Sequence, residues 1–135
     1  MSSRTIFLSR LIGLYCILLV PFMFIYRQAS LASITELLHS PSLILVLGVI
    51  ILAVGLAMVL THNIWSGGAL AVVITVIGWL TLIKGLFFVY LLPYVGVECY
   101  LKVLQNPPIF YSCMVLWLAV GIYLTYGGFT SKSHS

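Results

Sequence analysis

Residues 62–85 read H-N-I-W-S-G-G-A-L-A-V-V-I-T-V-I-G-W-L-T-L-I-K-G, and the rest of the chain is organised around them. The stretch begins with a short polar cluster between two hydrophobic segments. It continues as an apolar run that holds one charge, Lys84, far inside the segment. A tight turn followed by a long apolar run is typical of two helices that are connected at a membrane surface.

Composition indicates the class of protein. Of the 135 residues, 63% are hydrophobic and 6% are charged, so a soluble fold would lack the polar shell that its core requires. In a membrane, lipid replaces water around the outer face of a helical bundle. The length allows one compact bundle and no separate soluble domain.

Four segments are long enough to cross a bilayer, because about 20 residues at a rise of 1.5 Å span a hydrocarbon core of about 30 Å. The runs are unbroken rather than alternating, which excludes barrel strands. We predict an all-α membrane protein, with a single four-helix transmembrane domain over residues 1–135 and spans at residues 6–26, 42–61, 69–92 and 109–129.

The first segment also has features of a secretory signal peptide, with Arg4 and Arg10 before the apolar run and a small-x-small pattern at residues 30–32. We favour an uncleaved anchor, because the apolar run at residues 11–26 is long and Arg27 separates it from that pattern.

The two longer connections are predicted to be helices that lie in the headgroup region, at residues 28–39 and 95–105. Each has an apolar stripe at helical spacing on a polar segment that is too short to span. L-L-H-S-P at residues 37–41 parallels V-L-Q-N-P at 103–107, and L-A-V-G-L at 52–56 parallels L-A-V-G-I at 118–122. These matches favour a tandem repeat of two spans and an interfacial helix, with chance similarity as the alternative.

Four spans place both termini and the turn at residues 61–68 on one side of the membrane. That side carries Arg4, Arg10 and Lys132, and the other carries Arg27 and Lys102. Because basic residues concentrate on the cytoplasmic side, we predict that the termini and the turn are cytoplasmic.

Glycines predict where the helices approach each other. Three spans each contain a pair of glycines seven residues apart, which lie on one helix face and allow a neighbouring backbone to come close. These packing candidates are Gly48, Gly55, Gly78, Gly85, Gly121 and Gly128.

Lys84 is the polar residue whose position most needs an explanation. A charged lysine this deep costs at least about 2.5 kcal/mol, so we expect it to face protein or water and to have a partner. Glu36 and Glu98 are the only carboxylates of the chain, and an ion pair with one of them is the structural interpretation. The functional alternative is a site for an anionic headgroup or solute.

The turn residues His62, Asn63 and Trp65 have a structural interpretation as well. His62 or Asn63 can cap the open carbonyls of a helix that ends at Thr61, while the indole of Trp65 anchors the turn at the interface. A catalytic histidine would need a carboxylate or thiol beside it, and the carboxylates are expected on the opposite side.

Other chemistries lack their motifs. The three cysteines form no C-x-x-C, and no phosphate loop, H-E-x-x-H or G-x-S-x-G occurs. No span contains an acidic residue, which argues against a proton-coupled exporter of the small four-span multidrug type. The net charge of +4 is spread thinly, which leaves nucleic-acid binding without a basic patch but is compatible with anionic lipid. We therefore expect no enzyme activity, cofactor, metal or nucleic-acid partner.

The H-N-I-W turn and the later G-W-L-T-L-I-K-G, preceded by L-G-V-I-I-L-A-V-G-L, resemble a group of small, uncharacterised bacterial integral membrane proteins. The resemblance covers residues 47–93. It implies four spans with a repeated helix-Pro-helix pattern and a location in the bacterial inner membrane, and it brings no activity.

Together these features predict a structural or interaction subunit in the lipid bilayer, which assembles with copies of itself or with a larger membrane protein. The alternative is a small oligomeric channel or transporter in which Lys84 lines the path of an anionic solute or lipid headgroup. A membrane-embedded enzyme is a weaker third option.

Overall fold

A computed structural model describes residues 3–131, and nearly all of them are helical. The helices are α1 (Ser3–Ile25), α2 (Arg27–Leu38), α3 (Pro41–Thr61), α4 (Ala69–Leu86), α5 (Leu92–Val95), α6 (Val97–Gln105) and α7 (Pro107–Thr130). Helix α4 runs directly into a π-helical turn, Phe87–Leu91, and then into α5. Within residues 3–131 there is no β-strand.

Four helices are long and apolar enough to cross a membrane, and they comprise Ser3–Ile25, Pro41–Thr61, Ala69–Leu91 and Pro107–Thr130. At a rise of 1.5 Å per residue they are about 32 to 36 Å long, against a hydrocarbon core of about 30 Å. Large apolar side chains cover their outer faces, which suits a lipid environment. The predicted all-α fold with four spans is confirmed, and the protein is an integral membrane protein.

Proline and glycine set several helix boundaries. Pro41 and Pro107 are the first residues of α3 and α7, where a missing N–H removes no helical hydrogen bond. In the turn between α3 and α4, Gly67 and Gly68 have φ angles of +95° and +128°, which residues with a Cβ rarely adopt. This glycine pair therefore allows the chain to reverse within a few residues and start α4.

The spans form two antiparallel pairs, α1 with α7 and α3 with α4, and the two pairs meet mainly where α1 contacts α4. The α3–α4 turn and the first and last described residues lie at one end, here called the turn end. Helices α2, α5 and α6 lie at the other, the short-helix end. In the predicted tandem repeat, α1 corresponds to α4 and α3 corresponds to α7. The pairing agrees with this correspondence, because it turns the α1–α7 pair into the α4–α3 pair.

Glycines lie at the closest helix–helix approaches. A Cβ added at Gly85 would lie 2.6 Å from the backbone of Leu52, and one added at Gly55 would overlap the backbone of Leu82. On α7, a Cβ at Gly121 would lie 2.7 Å from the Cβ of Cys16 on α1. All six glycines singled out in the sequence lie at contacts of these two pairs; the residues are Gly48, Gly55, Gly78, Gly85, Gly121 and Gly128.

The buried apolar side chains form two clusters at different depths. The turn-end cluster joins α4 to α7 and consists of Leu70, Ile74, Ile77 and Leu124, with further side chains from α1 and α3 packed against it. The short-helix-end cluster joins α2, α3, α4 with its π-helical turn, α5 and α6, and consists of Leu38, Ile44, Phe88, Leu92 and Leu101. The turn-end cluster thus joins the two helix pairs, whereas the short-helix-end cluster packs the short helices against α3 and the end of the third span.

Candidate functional site

At the turn end, the imidazole of His62 is buried between α1 and α4. Its Nε2 lies 2.9 Å from the Oγ1 of Thr5, and its Nδ1 lies 3.3 Å from the Oγ1 of Thr75. These three side chains are between 1% and 2% exposed. The Oγ1 of Thr75 also accepts a hydrogen bond from the backbone N–H of Ile64, at 3.1 Å. The ring therefore ties the turn to both helix pairs.

His62 is the C-cap residue of α3, and it caps through its backbone rather than through its ring. The backbone N–H of His62 donates to the carbonyl of Met58, while the ring turns inward to the two threonine hydroxyls. Burial lowers the pKa of His62 below its ordinary value of 6.5, against an opposing effect of its own backbone. Glu36 and Glu98 lie on α2 and α6 at the other end, so within residues 3–131 this neutral imidazole has no acidic partner.

Asn63 and the two nearby tryptophans complete the turn. The amide oxygen of Asn63 accepts hydrogen bonds from the indole N–H of Trp65 at 2.7 Å and of Trp79 at 3.4 Å. All three residues are exposed. Because Trp79 belongs to α4, its hydrogen bond to Asn63 connects the turn to the helix that follows.

At the short-helix end, the two carboxylates have different surroundings. The Nε2 of His39 lies 3.0 Å from the Oε1 of Glu98, and its Nδ1 lies 2.7 Å from the carbonyl oxygen of Thr35. Both partners are acceptors, so this geometry suits a doubly protonated ring, and the Thr35 carbonyl and then Glu98 raise the pKa of His39. Glu36 is exposed on α2 and forms no ion pair within residues 3–131.

Lys84 does not form the ion pair that the sequence led us to expect. Among the described residues the single ion pair is that of His39 with Glu98. The Nζ of Lys84 instead lies 5.8 Å from the centroid of the Phe88 ring, one helical turn further along. The predicted ion pair with Glu36 or Glu98 is therefore not formed within residues 3–131, where Glu98 pairs with His39 instead.

The position of Lys84 on α4 is unusual. Counting by three and four residues from Leu70 gives one stripe: Leu70, Ile74, Ile77, Thr81, Lys84, Phe88 and Leu92. The five apolar members are at most 9% exposed, and Thr81 is half-buried. Lys84 is exposed although it lies between Ile77 of one cluster and Phe88 of the other. At the level of Lys84 this stripe is therefore exposed, while the neighbouring Gly85 stays buried against Leu52 of α3.

Sequence reasoning gave no role to two arginines that hold helices together. The Nε of Arg10 donates to the carbonyl oxygen of Gly128 at 2.9 Å, near the C-terminus of α7, where a cation is favourable. An Nη of Arg27 donates to the carbonyl oxygen of Gln105 at 2.9 Å, and its guanidinium lies over the Phe110 ring. Their positions near span ends bear only on membrane topology. Their contacts could not be predicted, because every residue has a backbone carbonyl and the sequence does not show which one an arginine meets.

The described residues offer little for redox or metal chemistry. Cys16 is buried, whereas Cys99 and Cys113 are exposed, and all three are free thiols. Within residues 3–131, no group of three or more histidine, cysteine, aspartate or glutamate side chains is placed to hold a metal ion.

Comparisons with protein-family models, with curated proteins and with solved structures give no match to this chain. The resemblance to small bacterial four-span proteins therefore stays an expectation from the sequence.

Proposed function

We propose that the protein is an interaction subunit of a membrane assembly, joined to a larger membrane protein or to copies of itself. The observation that carries the proposal is the exposed Lys84 on the otherwise buried inner stripe of α4. Placing a lysine inside a span costs about 2.5 to 3.5 kcal/mol when the charge has no partner. A partner subunit that contacts Lys84 would offset this cost.

The depth of Lys84 strengthens this interpretation. Its Cα is seven residues before the end of the span at Leu91, which places it about 10 Å inside the span at 1.5 Å per residue. A lysine stem recovers part of that distance by extending towards the membrane surface. The remaining desolvation has to be offset by a group outside the described fold, and a second membrane-embedded subunit is able to supply one.

Exposed apolar side chains around Lys84 suit a helix–helix contact. Leu80 and Ile83 are 54% and 58% exposed on α4. Association of helices in lipid depends on close packing and on interhelical polar contacts rather than on apolar burial alone. The face of α4 around Lys84 offers apolar side chains for close packing and, within the span, an amine for a polar contact with another helix.

The test is the composition of tagged protein purified in mild detergent, measured by native mass spectrometry. The wild type is expected as a complex of fixed stoichiometry, with a second polypeptide or with further copies. Lys84→Met should dissociate that complex. Lys102→Met, which removes an exposed lysine of α6 outside the spans, should leave it intact. A wild-type monomer accompanied by lipid alone would refute the proposal.

The exposure of Lys84 also favours a second candidate, a small oligomeric channel or transporter with this lysine in the path of an anionic solute or headgroup. The two candidates differ in access to water. In a background with Lys102→Arg and Lys132→Arg, a membrane-impermeant sulfonated succinimidyl ester should modify Lys84 in sealed vesicles if it lines an aqueous path. A lysine covered by a subunit should stay unmodified.

We further propose a location in the bacterial inner membrane with cytoplasmic termini. The support is the sequence resemblance and the distribution of basic residues, with Arg4 and Arg10 on the first helical turns at the turn end. A reporter fused after Ser135 should be active in the cytoplasm, and activity outside the cytoplasm alone would reverse the orientation.

A further inference from the structure

The seam between the two helix pairs is the line along which α1 and α7 face α3 and α4, and the α4 residues beside it carry an inference that rests on the proposed function. The turn-end cluster fills the seam at one depth, whereas the short-helix-end cluster contains no residue of α1 or α7. Lys84 lies between them and is exposed. We infer that the exposed face of α4 around Lys84 receives a transmembrane helix of a different protein, which presents a carboxylate to the amine of Lys84.

The other cations leave Lys84 as the one that needs an anion at this depth. Arg10 and Arg27 each donate to a backbone carbonyl and each lie over an aromatic ring. Arg4 and Lys102 are exposed near opposite ends of the bundle. Within residues 3–131, Lys84 is the basic side chain that lies well inside a span and contacts an aromatic ring without a backbone carbonyl or a carboxylate beside it.

A second copy of the chain cannot supply the carboxylate at this depth. Glu36 and Glu98 are the only acidic residues of the whole sequence, and they belong to α2 and α6 rather than to any span. Glu98 is moreover engaged by His39. The complementary charge must come from another protein.

A lipid phosphate is a poorer fit than a carboxylate on a helix. The ring of Phe88 is 4% exposed, and it packs edge-on against Tyr100 of α6 with the centroids 5.6 Å apart. These two rings lie between Lys84 and the short-helix end, where the nearer headgroups would be. A phosphate would have to pass this buried cluster, whereas a helix running beside α4 brings a carboxylate in at the same level.

The experiment uses the full chain in phosphatidylcholine vesicles with synthetic leucine-rich transmembrane peptides as probes. Three peptides differ only at the central residue, which is glutamate, glutamine or leucine, and binding is measured by energy transfer between dyes. The glutamate peptide is expected to bind about fivefold to thirtyfold more tightly than the leucine peptide, the range that interhelical polar contacts give in model peptides. The glutamine peptide should fall between them.

The variants decide whether Lys84 is responsible. Lys84→Met should bind the glutamate and leucine peptides equally, whereas Lys84→Arg and Lys102→Met should keep the preference. In native membranes, a carbodiimide should join Lys84 to an aspartate or glutamate within an apolar segment of the partner. Equal binding of the three peptides by the wild type, or a preference that survives in Lys84→Met, would overturn the inference.

The failure of the inference and that of the proposed function give different results. If the complex is purified intact and Lys84→Met leaves it unchanged, the protein is still a subunit of an assembly, but the proposed contact at Lys84 is refuted. A glutamate preference that is abolished by adding phosphatidylglycerol to the vesicles would identify lipid phosphate as the occupant, and it would overturn the helix.

Discussion

Replacing Gly55 by alanine tests how closely α3 and α4 pack. A Cβ at this position would lie 2.6 Å from the Cα of Leu82 and 2.8 Å from the carbonyl carbon of Thr81. Ordinary contacts of a Cβ begin at 3.4 Å. The obstacle is backbone rather than the tip of a flexible side chain, so the two helices have to separate locally by about 0.8 Å.

The free energy of unfolding follows from two opposing effects. Overpacking of a tight contact costs about 1 to 3 kcal/mol. Alanine is favoured over glycine in a helix interior by about 1 kcal/mol. Separation of the backbones also loosens the neighbouring contact of Gly85 with Leu52, where a Cβ would lie only 2.6 Å from backbone. We expect Gly55→Ala to lower the free energy of unfolding by about 1 to 2 kcal/mol.

The assay is unfolding in mixed micelles by titration with sodium dodecyl sulfate, followed by tryptophan fluorescence. Ala53→Leu is the matched control, because Ala53 lies two residues away on α3 and is exposed. This larger change should leave the midpoint unaltered. If Gly55→Ala were as stable as the wild type or more so, helix propensity would dominate and the close α3–α4 contact would be refuted.

Two further predictions concern the turn end. Thr75→Val should lower the free energy of unfolding by about 1 to 3 kcal/mol, because the Ile64 N–H and the His62 ring lose a buried hydrogen-bond partner. Thr81→Val is the control and should lower it less in the same titration, because the Thr81 hydroxyl bonds only within α4. Because the pKa of His62 is lowered in the folded chain, the unfolded chain binds more protons, so stability should fall as pH drops below about 6.5. A His39→Gln background removes the opposite effect of His39, and a pH dependence that persisted there after His62→Gln would contradict the assignment.

The spans and their close contacts could be predicted because both depend on local features of the sequence. Apolar runs of the required length define the four helices, and Pro41 and Pro107 mark two of their starts. Glycines seven residues apart lie on one face of any helix, whichever neighbour covers it. Gly13, which meets Thr125 of α7, has no glycine at that spacing in α1 and was missed.

The polar contacts could not be predicted because they depend on how helices are rotated and on partners far along the chain. His62 meets Thr5, 57 residues away, and a capping role was the nearest local alternative. Lys84 and Glu98 have opposite charges, and Lys84 lies in the half of its span that is nearer to Glu98. Within residues 3–131 they do not pair, and Glu98 is instead contacted by His39 across 59 residues of sequence, which no spacing rule anticipates.

The seam between the helix pairs explains how a charged residue, Lys84, fits within a span of this bundle. At the turn end, buried hydroxyls and the His62 ring fix the pairs in register, and at the short-helix end α2 and α6 pack apolar side chains against α3 and the π-helical turn. Between these ends the inner stripe of α4 contributes Lys84 instead of another leucine or isoleucine. A helix that brought a carboxylate to Lys84 would complete the seam without disturbing the glycine contacts within either pair. Such a partner should therefore raise the stability of the pair-to-pair contact and leave the effect of Gly55→Ala unchanged, since the two contacts share no residue.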